Sequence, residues 1–248
     1  MEIAQGVRRL GTSYINFYLI EEGGKLTLLD AGLPGYWKHL VRELESIGRR
    51  PEDIDAILLT HRHPDHVGLA ERVRGISSAP AYAHELDAPA ISSPKPGPMP
   101  KFLSQGWHPL LFKYLLHSVL AGAARHIPVA HLKTFADGEV LDVPGRPRVI
   151  HVPGHTAGQC ALHLEARGVL FSADALCTVD GLTGRPGPTL PPEFVTDDSA
   201  RALSSLSRLE GLEAGIMLPG HGEPWHDGVG EAVRLARQNW GANLIRAA

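Results

Sequence analysis

The chain is poor in cysteine, with two in 248 residues, Cys160 and Cys177. Two thiols cannot build a disulfide scaffold, and a domain of this size does not need one. Both read as free thiols, which fits a reducing cytoplasm. Charge of one sign is also lacking: 24 Lys and Arg stand against 27 Asp and Glu, for a net charge of −3. No basic field therefore draws the protein to phosphate backbones or anionic lipid. No stretch reaches the roughly 18 apolar residues of a membrane span. The N-terminus, Met1-Glu2-Ile3-Ala4-Gln5-Gly6, lacks the basic start and apolar core of a signal peptide. The 27 Gly and 20 Pro make up about a fifth of the chain, below the roughly 25–30% that marks disorder. These absences point to a cytoplasmic globular protein whose partner is a small molecule, not nucleic acid or a membrane. Histidine is what the chain has in quantity: 14, about one residue in 18.

The length fits one compact domain, residues 1–248, with an insertion. Ile15 to Ile20 and Lys25 to Leu29 are short strand-like runs separated by Glu21-Glu22-Gly23-Gly24, a hairpin signal. Trp37, Leu40, Val41, Leu44 and Ile47 follow helical spacing, and Gly48 and Pro51 stop the helix. Ile54 to Leu59 reads as a buried strand. In the second half, Val149 to Val152, Cys160 to Leu164, Val169 to Ala173 and Ile216 to Leu218 read as strands. Helices are predicted over about Ser199 to Leu209 and Val229 to Asn239. Strands punctuated by helices imply an α/β protein with sheets inside and helices outside.

The insertion, at about 92–127, has a different texture. Four prolines fall within Ser93 to Pro100, and a nearly all-round apolar helix starts near Pro109, including Leu110, Leu111, Phe112, Tyr114, Leu115, Leu116, Val119 and Leu120. It could run about 16 residues, or roughly 24 Å, too short to cross a bilayer. Such a helix is expected to bury its apolar faces against the main body. Pocket wall, packing element and homodimer contact are the three roles it could play.

The chemistry lies in Thr60-His61-Arg62-His63-Pro64-Asp65-His66, three imidazoles and a carboxylate right after a buried strand. Such a cluster suits a divalent metal, with Zn, Fe or Mn as the ions these donors hold. A surface His cluster or a helix cap is the plainer reading. Against it, three more polar residues also follow apolar strands among small neighbours: His155 in Pro153-Gly154-His155-Thr156, Asp174 after Ser172-Ala173, and His221 in Pro219-Gly220-His221-Gly222. His226 is close enough in sequence to His221 to approach the same place. His84, His108, His117, His126, His131, His151 and His163 have no motif around them and read as surface or packing residues.

The ordered set Leu29-Asp30-Ala31-Gly32, His61-x-His63-x-Asp65-His66, Gly154-His155-Thr156, Asp174 and Gly220-His221 resembles the metallo-β-lactamase-fold hydrolases from about residue 12 to about 225. The resemblance implies a four-layer αβ/βα sandwich with two mixed sheets and a site along one edge. It implies that His61, His63 and His155 hold one ion, that Asp65, His66 and His221 hold a second, and that Asp174 bridges both. The cofactors would be two divalent ions, Zn2+ first with Fe or Mn as alternatives. A metal-bridging hydroxide would attack, with Asp65 as the catalytic residue that orients it and takes its proton. Asp30 would sit behind the ligands, taking a hydrogen bond from an imidazole.

Departures from known branches narrow the reaction. True metallo-β-lactamases usually carry Cys or Ser where Asp174 stands. Glyoxalase II carries a helical C-terminal domain, whereas 27 residues follow His221 here. Ribonuclease Z-like enzymes use a basic arm that is absent, and flavodiiron reductases need a flavodoxin-like domain. What remains is a hydrolase of a small ester, lactone or thioester, in a glyoxalase II or lactonase-like branch. The lactonases have a Tyr near the bridging Asp, and the sequence offers no equivalent, because no Tyr follows Tyr114. A glutathione thioester hydrolase and a mononuclear-iron persulfide dioxygenase stay open as alternatives.

Overall fold

The structure is a computed structural model that describes the backbone of residues 1–94, 109–125 and 127–247, and side chains to residue 240. In chain order the elements are β1 (Glu2–Ala4), β2 (Val7–Gly11), β3 (Asn16–Glu22), β4 (Lys25–Leu29), α1 (Trp37–Glu45), β5 (Ile54–Leu58), α2 (Pro64–Val67), α3 (Ala70–Ser77), β6 (Ala81–His84) and α4 (Ala88–Ser92). They continue as α5 (Pro109–Leu120), β7 (Lys133–Phe135), β8 (Arg148–His151), β9 (Cys160–Leu164), β10 (Val169–Ala173), β11 (Cys177–Val179), β12 (Pro186–Thr189), α6 (Ser199–Ser205), β13 (Ile216–Pro219) and α7 (Val229–Ala247).

Two mixed sheets result. The first has seven strands in sequence order, antiparallel from β1 to β4 and parallel from β4 to β7. The second runs β13-β10-β9-β8, with only β10 and β13 parallel. Period-2 alternation explains the layering. Tyr18 and Ile20 of β3 face the second sheet, where Val149, Leu162, Val169 and Phe171 meet them. Phe17 and Leu19 face the other way and pack with Leu40 and Leu44 of α1 and Val73 of α3. On the far side, Leu170 and Met217 pack with Ala202 of α6 and Val233 of α7. Helix, sheet, sheet and helix therefore stack in four layers.

Several details depart from the sequence reading. β1, β6, β7 and the two-stranded β11-β12 pair carry too little apolar alternation to announce themselves, and β12 reads Pro-Gly-Pro-Thr. The apolar helix α5 is 12 residues long, with Leu111 and Ser118 buried but Phe112, Leu116, Val119 and Leu120 exposed. The expectation that it buries all its apolar faces fails: among the described residues of the helix, Leu110, Phe112, Leu116, Val119 and Leu120 stay exposed. The Pro-rich run beyond residue 94, Trp107, His108 and His126 lie outside the described residues. No helix among the described residues is long and apolar enough to cross a membrane.

Candidate metal centre

Five loops leave the sheets at one end and deliver the polar residues singled out above. Asp30 follows β4, His61 follows β5, His155 follows β8, Asp174 follows β10 and His221 follows β13. The turns are tight. Asp30 and Ala173 have φ of +56° and +45°, left-handed values that non-glycine residues adopt at a cost and that recur at functional sites. Gly220 has no room for a side chain, since a Cβ there would overlap Asp174 Oδ1 and come within 2.7 Å of His66 Cε1.

All seven predicted ligand residues converge. Ligand atoms of His61, His63 and His155 lie within 4.8 Å of one another; so do those of Asp65, His66 and His221, and of His61, His66 and Asp174. Asp174 sits between the two sets. Its carboxylate is 3.4 Å from His155 Nε2, 3.4 Å from His66 Nε2 and 3.1 Å from His221 Nε2. Asp65 Oδ2 lies 3.5 Å from His221 Nε2. His226, in contrast, is exposed and belongs to none of these groups, because the chain turns away after Gly222.

The outer nitrogens explain why the rings point inward. His66 Nδ1–H donates to Asp30 Oδ2 at 2.8 Å. His221 Nδ1–H donates to the Tyr14 carbonyl at 2.6 Å. Thr60 gives its hydroxyl proton to Asp30, leaving Oγ1 to accept from His61 Nδ1–H at 3.1 Å. Thr196 gives its proton to the Pro192 carbonyl and stands 3.3 Å from His155 Nδ1. With Nδ1 committed, each ring offers Nε2 to the centre; His63, differently turned, offers Nδ1 to within 3.1 Å of His61 Nε2. Ring orientation by a polar partner behind the ligand is the usual arrangement at metal-binding histidines. Asp30 grips both Thr60 and His66.

The residues fit a divalent cation. His66 Nε2, His155 Nε2 and Asp174 Oδ1 are buried and hydrogen-bonded to nothing, although buried polar atoms are nearly always satisfied. Imidazole and carboxylate donors in this number suit Zn, Fe or Mn.

Charge divides the cluster. Burial, then the neighbouring imidazoles His66 and His63, hold His61 far below the ordinary imidazole range. Burial followed by His155 pushes His63 down to about 3. For His66 burial also opposes the proton, but Asp174, Asp30 and Asp65 outweigh it and raise the value to about 10. Burial is likewise outweighed at His221, which Asp174 and Asp65 raise to about 9. Asp65 and Asp174 resist the upward push of burial and stay below the ordinary carboxylate value, held there chiefly by His66 and His221.

Two contributors were invisible in the sequence. Tyr114, on α5, donates its hydroxyl to Asp65 Oδ2 at 2.9 Å and lies with its ring 6.1 Å from that of His221. The sequence offered no tyrosine to place beside Asp174; the one that stands at the centre bonds Asp65 and comes from α5, where no motif marks it. Asp87, just before α4, is the other and lies behind the ligand loops.

A model of the metallo-beta-lactamase superfamily matches residues 10–221. The probable metallo-hydrolase YflN of Bacillus subtilis (strain 168) is 29% identical over 235 residues, covering 90% of this chain and 86% of that one. The exodeoxyribonuclease WalJ of Streptococcus pneumoniae is 43% identical, but over 88 residues, 34% of this chain and 30% of that one. Among solved structures, a metallo-beta-lactamase family protein of Thermus thermophilus superposes with a TM-score of 0.70 at 29% identity, over 96% of this chain and 80% of the other.

Proposed function

The chain belongs to the metallo-beta-lactamase superfamily, and from that premise we propose that it hydrolyses a small ester, lactone or thioester with two divalent ions, Zn2+ first among them. The observation that carries this reading is the convergence of seven donor side chains, four of whose imidazoles have the outward nitrogen already engaged. His61, His63 and His155 would hold one ion, Asp65, His66 and His221 the other, with Asp174 shared. Bound there, such ions supply Lewis acidity, polarising the bond under attack and making water acidic enough to react near neutral pH.

The chain's own groups do the rest. The Asp65 carboxylate, partly open to solvent, takes the proton that leaves the attacking water. Asp30 keeps the His66 ring fixed in orientation. Tyr114 donates a hydrogen bond at the rim beside Asp65, and with Tyr14, whose ring centroid is 5.9 Å away, it forms an aromatic flank. That flank favours a substrate with a small apolar acyl group. A small-molecule partner, a cytoplasmic setting and one domain interrupted at about 92–127 belong to the same reading. So does the placement near the lactonase and glyoxalase II branches.

The test is metal content by mass spectrometry, combined with turnover on esters, lactones, thioesters and phosphodiesters. Two ions per chain with turnover of an acyl substrate is expected. Turnover of phosphodiesters alone would move the activity toward that of the relative WalJ. One iron per chain with oxygen uptake would replace the proposal by the dioxygenase reading.

A further inference from the structure

Arg62 stands between His61 and His63, and its cationic side chain lies on the same loop as two residues of the first ligand set. A dication and a guanidinium on one short loop repel each other unless carboxylates intervene. Two do. Asp87, only 1% exposed, accepts from Arg62 N–H at 3.0 Å and from Arg62 Nη1 at 3.4 Å. Asp197 accepts both bonds of Arg62 Nη2, at 2.8 and 2.9 Å.

The same two residues reach the loop that carries His155, Asp87 by its carboxylate and Asp197 by its backbone. Asp87 accepts from Thr156 Oγ1 at 2.6 Å and from Gly158 N–H at 2.9 Å. Asp197 N–H donates to the His155 carbonyl at 3.1 Å. Gly158 is needed for the approach, because a Cβ there would lie 2.7 Å from Asp87 Cγ and 2.8 Å from its backbone nitrogen. Four hydrogen bonds thus converge on one buried carboxylate, two from each of the loops that must meet for His61, His63 and His155 to face one point. Among the described residues, no hydrogen bond or ion pair joins Asp87 to Asp65, His66 or His221.

We infer that Asp87 is a positioning residue that joins the 61–63 and 154–158 loops and neutralises Arg62, so that the three imidazoles present their nitrogens to one cation. This rests on the two-ion reading above. Asp87→Asn keeps the size but turns one acceptor oxygen into a donor facing N–H or O–H groups, and it removes the charge.

The experiment is titration of ion-free protein with Zn2+ against a competing chelator, with His63→Ala marking which binding step belongs to the first set. Asp87→Asn is expected to weaken that step tenfold or more, in line with the cost of losing a group that orients metal ligands, and to leave the other step within about twofold. Thr156→Val should weaken the same step by a smaller factor, and Thr156→Ser should restore it; these carry the test if Asp87→Asn fails to fold. Unchanged binding in Asp87→Asn and Thr156→Val overturns the inference. So does equal weakening of both steps together with a lower melting temperature of the ion-free protein, which is what a purely structural role predicts. A wild-type chain that binds no Zn2+ overturns the two-ion reading itself, whereas two tight wild-type steps untouched by Asp87→Asn overturn only the role of Asp87.

Discussion

His61, His63 and His155 form an all-nitrogen set, and Asp174 is the carboxylate that reaches it; Asp65, His66 and His221 form a mixed set threaded with carboxylates. Without ions the two sets solve burial in opposite ways. In the first, His61 and His63 give up protons, because burial and neighbouring imidazoles penalise the charge. In the second, His66 and His221 keep protons against Asp174 and Asp65, forming a buried salt-bridge cluster. A cation entering the first set meets neutral donors at His61 and His63, whereas one entering the second must displace protons. Donor type alone does not predict this difference; it follows from the carboxylates of Asp174, Asp65 and Asp30 that surround the second set, whereas burial and other imidazoles dominate at His61 and His63.

Asp174→Ala erases the comparison, since this side chain touches both sets. Activity on the responding substrate should fall at least about a thousandfold, roughly 4 kcal/mol of barrier. In the ion-free variant the His66 and His221 values should drop toward the ordinary imidazole range, as read by NMR titration of the ring protons. The next effect is on stability of the ion-free protein against pH. His61 and His63, depressed in the fold, give stability that is complete above their ordinary value of 6.5 and lost as pH falls below it, toward about 3 for His63. His66 and His221, raised in the fold, give stability that is complete below 6.5 and lost as pH rises through about 9 and 10. Denaturant unfolding should therefore peak near pH 6.5, with each proton of difference worth about 1.4 kcal/mol per pH unit. His63→Asn should flatten the acid arm and His66→Asn the alkaline arm; a profile flat from pH 5 to 9 would remove the contrast between the sets. A smaller effect is expected of Tyr114→Phe, which deletes the hydrogen bond to Asp65 Oδ2. A fivefold to thirtyfold loss in kcat is expected, about 1–2 kcal/mol, with Zn2+ binding to the first set unchanged.

The seven side chains that converge were legible in the sequence because their signals are local. Strand alternation and small residues next to His155, Asp174 and His221 each lie within a few positions, and the 61–66 motif is contiguous. The groups that tune the set were not legible. Tyr114 meets Asp65 across 49 residues of chain, and Asp87 meets Thr156 across 69. Such pairs are fixed by tertiary packing, for which one sequence holds no periodic signature. His226 shows the converse, close to His221 in sequence yet exposed. The half-exposed α5 shows a third limit: Val119 at 62% and Leu120 at 79% exposure are as apolar as the buried Leu111. Apolar composition says that a helix prefers to be covered, and topology decides whether anything covers it.

His117→Ala should have the smallest effect and sharpens the contrast between α5 as a wall and α5 as a participant. His117 lies on the half-buried side of the helix, with Nε2 2.6 Å from Tyr36 OH and its ring 4.9 Å from that of Tyr14. Removing the imidazole does not strand the Tyr36 hydroxyl, which keeps Thr12 Oγ1 at 2.8 Å, so the penalty of an orphaned buried group does not arise. Stability should fall by about 1 kcal/mol from lost packing and one hydrogen bond, and kcat should stay within about threefold. Tyr114 is three residues away on the same helix and has its own anchor in Asp65, so the bond at the ligand survives a loosened mooring. A loss in kcat above tenfold, with metal content unchanged, would mean that the seating of α5 itself governs the reaction and that Tyr114 is not its sole link to the centre.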